Sequence, residues 1–293
     1  MLFDESTLRK LSQLTLVASR IRAGAIKGER RSSHRGSSVE FADYRDYSPG
    51  DDLRRIDWNI YGRTDRPFIK LFEEEEDLAV YILLDGSLSM DWGEAEQHKF
   101  GYAVRMAAGL GAMALASGDS LALGCLQNGR VSARFGPTRG QHALPRLFSF
   151  LEALKPGGET DLNASLQHYA LTPHRPGLHI LLSDLLAAGG YETGLRALLS
   201  HGHETALLHI LAPDELDPPL AGDLELIDIE TGTTQDVSLD GGLRGLYRER
   251  AQAWIQATRA DCRKHSIRYL DLLTDRPWDQ AIMLEMRKAG MVK

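Results

Sequence analysis

Leu78-Ala79-Val80-Tyr81-Ile82-Leu83-Leu84-Asp85-Gly86-Ser87-Leu88-Ser89 is the stretch on which the fold turns. Residues 78–84 are an apolar run too short for an ordinary helix, and they read as a strand buried on both faces. An aspartate follows at once, and then two serines that alternate along a loop. Residues 178–182 repeat the pattern, with Ser183 and Asp184 directly after them. Apolar runs at 205–211 and 267–272 extend it. Between these runs, helical spacing covers 94–117, 141–154, 161–170, 190–200, 243–265 and 277–290. Buried strands alternating with helices predict an α/β fold, a mostly parallel sheet with helices on both faces. Asn128-Gly129 between 121–127 and 131–135 predicts a hairpin, and 224–229 with 235–239 a smaller one.

In open α/β sheets, ligands sit at the carboxyl ends of the strands. Asp85 and Asp184 both fall on that edge. Gly157-Gly158-Glu159-Thr160-Asp161 opens a predicted helix, so the Thr160 hydroxyl can reach it too. Asp85, Ser87, Ser89, Thr160 and Asp184 are all oxygen donors, the set a hard cation such as Mg²⁺ or Mn²⁺ takes while keeping some of its waters. Ser87 and Ser89 are assigned as direct ligands and Thr160 as direct or through water. Asp85 and Asp184 hold bound waters and supply charge. The competing assignment makes the hydroxyls helix caps and Asp184 a turn residue.

The set Asp85-Gly86-Ser87-Leu88-Ser89, Thr160 and Asp184 resembles the metal-ion-dependent adhesion site of von Willebrand factor A domains. The upstream segment Phe41-Ala42-Asp43-Tyr44-Arg45-Asp46-Tyr47-Ser48-Pro49-Gly50-Asp51-Asp52-Leu53-Arg54-Arg55-Ile56-Asp57-Trp58 is similar to the bacterial "domain of unknown function 58" family. The resemblance implies a Rossmann-like von Willebrand factor A domain over 78–293. It is preceded over 1–77 by an N-terminal helix (4–19), a basic loop and a small β-rich subdomain. It further implies a protein-interaction module, not an enzyme, that grips an acidic side chain of a client through the metal. The implied partner is an ATPase of the MoxR-type AAA+ class. Many relatives carry membrane helices ahead of the signature; none is seen here, so a cytoplasmic protein without membrane insertion is expected.

Composition narrows the field. The chain has 293 residues, 43% hydrophobic and 26% charged, with a net charge of -7. That charge implies no general nucleic-acid affinity. The basic stretch 20–35 reads as a solvated loop or as an anion- or partner-binding arm. Cys125 and Cys262 have no metal or redox spacing and read as reduced thiols. Gly109-Leu110-Gly111-Ala112-Met113-Ala114 matches a relaxed dinucleotide fingerprint but lies mid-helix, which points to close helix packing. His201, His203 and His209 read as surface residues, and Ile56 and Trp58 as core. The rival function is a Mg²⁺-dependent phosphoryl-transfer enzyme or phosphatase with Asp85 as nucleophile. The absence of a Lys or Arg close to Asp85 in sequence counts against it.

Overall fold

A computed structural model describes residues 4–18, 39–48, 50–74, 78–159, 161–199, 202–219, 222–229, 232–239 and 241–293. The chain divides into two compact units, Arg22–Asp77 and a larger one made of Met1–Ile21 with Leu78–Lys293. The first helix therefore belongs to the larger unit. The basic stretch 20–35 and His201 lie outside the described residues.

In the smaller unit, β1 (Val39–Asp46) pairs antiparallel with β2 (Phe68–Glu74). The signature segment is built from capping acids. Asp51 accepts from the Ser48 amide at 2.8 Å and pairs with Arg45 at 2.8 Å. Asp52 accepts from the Arg54 amide at 3.0 Å and opens the turn Leu53–Arg55. Asp57 caps the helix Trp58–Thr64 through the Asn59 and Ile60 amides and also accepts from the Tyr44 hydroxyl at 3.0 Å. Asp52 and Asp57 satisfy amides that a helix start leaves without an intrahelical partner. Ile56 is buried as expected, but Trp58 is 63% exposed. Its short helix buries no residue, and the indole meets the ring of Tyr61 edge-on.

The larger unit holds a six-stranded sheet in the order β10-β7-β6-β3-β4-β5. The strands are β3 (Ala79–Asp85), β4 (Ser120–Gln127), β5 (Arg130–Thr138), β6 (Leu178–Ser183), β7 (Glu204–Leu211) and β10 (Arg268–Leu273). Every pairing is parallel except β4 with β5. This is the α/β architecture read from the sequence. Asn128 and Gly129 both have positive φ, the conformation a tight two-residue hairpin turn requires. A separate antiparallel pair, β8 (Gly222–Ile227) and β9 (Thr234–Leu239), is the smaller hairpin.

Strand periodicity splits the core between two faces. Val80, Ile82, Leu84, Ile180, Leu182 and Leu208 join one cluster with the helix Lys99–Ala116, whereas Leu83, Leu181 and Leu207 join the other with the helices Leu162–Ala170 and Glu192–Leu199. The helix Lys99–Ala116 is buried on nearly all sides. A Cβ on Gly109 would come within 2.7 Å of Ile282, and one on Gly111 within 2.7 Å of Leu147. These glycines let neighbouring elements approach and sit in no nucleotide-binding turn. The N-terminal helix ends at Leu11, not near 19, because Leu16 bridges Val292 and Thr15 exchanges backbone hydrogen bonds with Lys293. Both cysteines are free and buried. No helix among the described residues is long and apolar enough to cross a membrane.

At the amino end of the strands lies a cluster of rings. Tyr81 stacks on His179, Tyr169 stacks on His174, and His203 meets His179 edge-on at 4.4 Å. His203 is buried, contrary to the surface assignment, and accepts from the Gly177 amide. His179 is buried with neither ring nitrogen hydrogen-bonded among the described residues. Burial, then the neighbouring His203 and His174, holds its pKa well below the ordinary 6.5. The unfolded chain therefore takes up the proton first. Stability is fully present above pH 6.5 and drains away as pH falls toward the folded value. Urea unfolding should show His179→Phe sparing about 1.4 kcal/mol of the wild-type loss between pH 7.5 and 5.5. An equal loss in both proteins would remove His179 as the cause.

Candidate functional site

The chain leaves β3 toward β4 on one side, while β6 pairs with the other side of β3. Sheets of this kind open a crevice at such a switch point, outside the carboxyl ends of the strands. Asp85 ends β3 and Asp184 follows β6, so both carboxylates stand at that crevice.

Asp85 is buried. Its Oδ2 accepts from the Ser183 hydroxyl at 2.6 Å and its Oδ1 from the Ser87 amide at 3.0 Å. No cation pairs with it among the described residues. Burial first, and the charge of Asp184 second, push its carboxyl above the usual range. The Ser87 and Ser89 hydroxyls are 3.0 Å apart, and Ser89 Oγ donates to Asp184 Oδ1 at 3.3 Å. The structure thus brings Asp85, Ser87, Ser89 and Asp184 together. Thr160 lies outside the described residues.

The loop ahead of Thr160 is tied to the same edge. Gly157 N–H donates to the Gly86 carbonyl at 2.8 Å, and Leu88 N–H to the Gly158 carbonyl at 3.0 Å. Glu159 N–H donates to the Asn128 side chain at 3.0 Å. Gly86 is required here because a Cβ would fall 2.6 Å from the Cys125 sulfur. Gly158 has φ +81° and lies against Asn128, so a side chain would be strained and crowded at once. Asp161 caps the helix Leu162–Ala170 through the Ala164 amide.

Five residues that the sequence did not assign to the site stand around it. Ser183 bridges the two strand ends, donating to Asp85 and accepting from the Leu185 amide at 2.9 Å. Leu185 has a left-handed φ of 58°, a strained conformation for a leucine, of the kind that clusters at functional turns. His209, read as a surface residue, is buried. Its Nε2–H donates to the Asp184 carbonyl at 3.0 Å and its Nδ1 accepts from the Tyr269 hydroxyl at 2.7 Å. Lys99, 0% exposed, donates to Asp184 Oδ2 at 2.7 Å and to Glu215 Oε1 at 2.5 Å. Burial opposes the charge on Lys99, but Asp184 and Glu215 outweigh it and raise its pKa. Glu215 is raised as well, burial outweighing the pull of Lys99. Glu215 also accepts from the Ala212 amide at 2.7 Å, which fixes it at the start of the short helix Pro213–Leu216.

The donor set suits a hard divalent cation: hydroxyl and carboxylate oxygens, with one buried carboxylate that pairs with no cation among the described residues. Among the described residues no three His, Cys, Asp or Glu side chains converge as a ligand cage, so such an ion would rest on the serine hydroxyls and on water. A family model described as "Protein of unknown function DUF58" matches residues 43–257. The chain belongs to that family. It is 30% identical over 280 residues to an uncharacterized protein of Mycobacterium tuberculosis, covering 94% of this chain and 87% of that one. Among solved structures it is similar to BatB from Bacteroides thetaiotaomicron, at 17% identity and a TM-score of 0.42, covering 73% of this chain and 98% of that one. An aerotolerance-related membrane protein from Bacteroides fragilis gives 16% identity and a TM-score of 0.43, with the same coverage of 73% and 98%.

Proposed function

We propose that this DUF58 chain is a non-enzymatic, metal-dependent adaptor. Its site works like the adhesion site of von Willebrand factor A domains, and a second surface engages a MoxR-type AAA+ ATPase in the cytoplasm. The observation that supports it best is the convergence of Asp85, Ser87, Ser89 and Asp184 at the switch point of the sheet. Ser87, Ser89 and Thr160 would hold Mg²⁺ or Mn²⁺, with Asp85 and Asp184 behind them. The bound ion would supply a positive charge that an acidic side chain of a client can meet. Trp92 (49% exposed) and Leu186 (45% exposed) sit on the loops that follow the two strand ends. Exposed apolar side chains there suit a contact surface.

The phosphoryl-transfer reading gains one observation, because a lysine does stand at the site although none is near Asp85 in sequence. Lys99 is fully buried and its charge is already matched by two carboxylates, so it presents no exposed ammonium to clamp a phosphoryl group. The deciding experiment is affinity capture from native lysate with wild type in Mg²⁺, wild type in EDTA and Asp85→Ala in Mg²⁺. Partners held only in the first sample are expected, together with an AAA+ ATPase in one or all samples. Identical captures without such an ATPase, and phosphate release from generic phosphoesters that Asp85→Asn abolishes, would replace the adaptor with the enzyme.

A further inference from the structure

Lys99 has a specific place in this site. Asp184 has two carboxylate oxygens, and both are engaged inside the protein. Oδ1 takes the Ser89 hydroxyl at 3.3 Å and the Leu186 amide at 3.0 Å, and Oδ2 takes Lys99 at 2.7 Å. Lys99 is fully buried and reaches Asp184 from the first turn of the helix Lys99–Ala116. A lysine there runs against the helix dipole, so the placement needs a compensating partner. Glu215, on the far side of the ammonium, is that partner as much as Asp184 is.

We propose that Lys99 is a positioning residue that reserves Asp184 for an outer role at the metal site, and that it thereby sets the affinity for the cation. A divalent ion can take Asp184 as a direct ligand only by displacing the Ser89 hydroxyl or the Leu186 amide from Oδ1, or through Oδ2, the oxygen that the fully buried ammonium holds in place. With Lys99 in place the ion keeps water where that carboxylate would bind, and that position stays open to the carboxylate of a client. Asp85, Asp184 and Glu215 set three carboxylates against the one ammonium of Lys99, an excess of acidic groups that a divalent cation would offset. This inference rests on the metal-dependent reading above and assigns Lys99 and Glu215 the control of the same site.

Two substitutions shift the affinity in opposite directions. Glu215→Gln removes a nearby negative charge and leaves Lys99 wholly to Asp184, so Mg²⁺ and Mn²⁺ should bind more weakly. Lys99→Met combined with Glu215→Gln restores the wild-type charge balance but frees Asp184 to ligate. It should bind both ions about 10-fold more tightly than Glu215→Gln, and more tightly than wild type. The measurement is calorimetric titration of the full chain with Mg²⁺, and Mn²⁺ titration followed by electron paramagnetic resonance, with folding checked by circular dichroism. Damage to a merely structural ion pair would lower affinity, so a gain marks the positioning role. A double variant that binds no more tightly than Glu215→Gln would overturn the proposal while leaving the metal site standing. If the double variant does not fold, Glu215→Gln alone decides, and unchanged or tighter binding there would also overturn it. Wild type that binds neither ion would instead remove the metal reading beneath it.

Discussion

Asp85→Asn should weaken Mg²⁺ binding by about 10- to 100-fold or more and yet leave the metal-free protein more stable than wild type. The two effects have one cause. Asp85 is a buried carboxylate whose hydrogen bonds come from a hydroxyl and an amide, and its nearest charge is that of Asp184. Taking that charge out of water costs free energy that neutral donors only partly return. Its folded pKa is raised, so the stability it lends is present below the unfolded value near 3.8 and is lost as pH rises through the folded value. At neutral pH the cost is complete. Asparagine keeps the size and an acceptor for the Ser87 amide, and the Ser183 hydroxyl can turn to accept from the new amide. A gain of about 1–3 kcal/mol in urea unfolding with EDTA is expected. A less stable Asp85→Asn would make the residue a structural element of the fold. Unchanged Mg²⁺ affinity by calorimetry would end its role in the metal site. Stability held below its attainable value at one polar position is what function at that position predicts.

The carboxylates of this site could be read from the sequence because each follows an uninterrupted apolar strand. Such strands fix both the parallel sheet and its carboxyl edge, so Asp85 and Asp184 were placed without any knowledge of contacts. The serines followed from their alternation after Asp85. Lys99 was missed because its partners lie 85 and 116 residues further along the chain, and neither local spacing nor composition links them. One signal was present: a cation in the first turn of a helix whose only other charged residue is Arg105. His209 was assigned to the surface by residue type, although it interrupts an apolar strand in which every position is buried. Trp58 was assigned to the core for the same reason and is exposed, because capping, not packing, defines its helix. The end of the first helix was misplaced because pairing with the last residues of the chain overrode the local periodicity.

Removing the ammonium should have the opposite sign from removing the Asp85 charge. Lys99→Met leaves Asp184 and Glu215 facing one another without a cation, in a place the lysine side chain shares with no solvent. Breaking a buried pair by deleting one partner typically costs about 3–5 kcal/mol, because the charge left behind has lost both water and counter-ion. Here two carboxylates are stranded, so the cost belongs at the upper end of that range. Because the group is buried, the loss should change little between low and high salt, unlike that of a surface pair. Adding Glu215→Gln removes one of the stranded charges and should return part of the stability, a coupling that a double-mutant cycle reads directly. Urea unfolding in EDTA at two ionic strengths makes the measurement. A cost below about 1 kcal/mol would mean that water reaches both carboxylates and that Lys99 holds neither of them. If the cost is large, Mg²⁺ should recover more stability in Lys99→Met than in wild type, because the ion would then fill the electrostatic place the lysine has vacated.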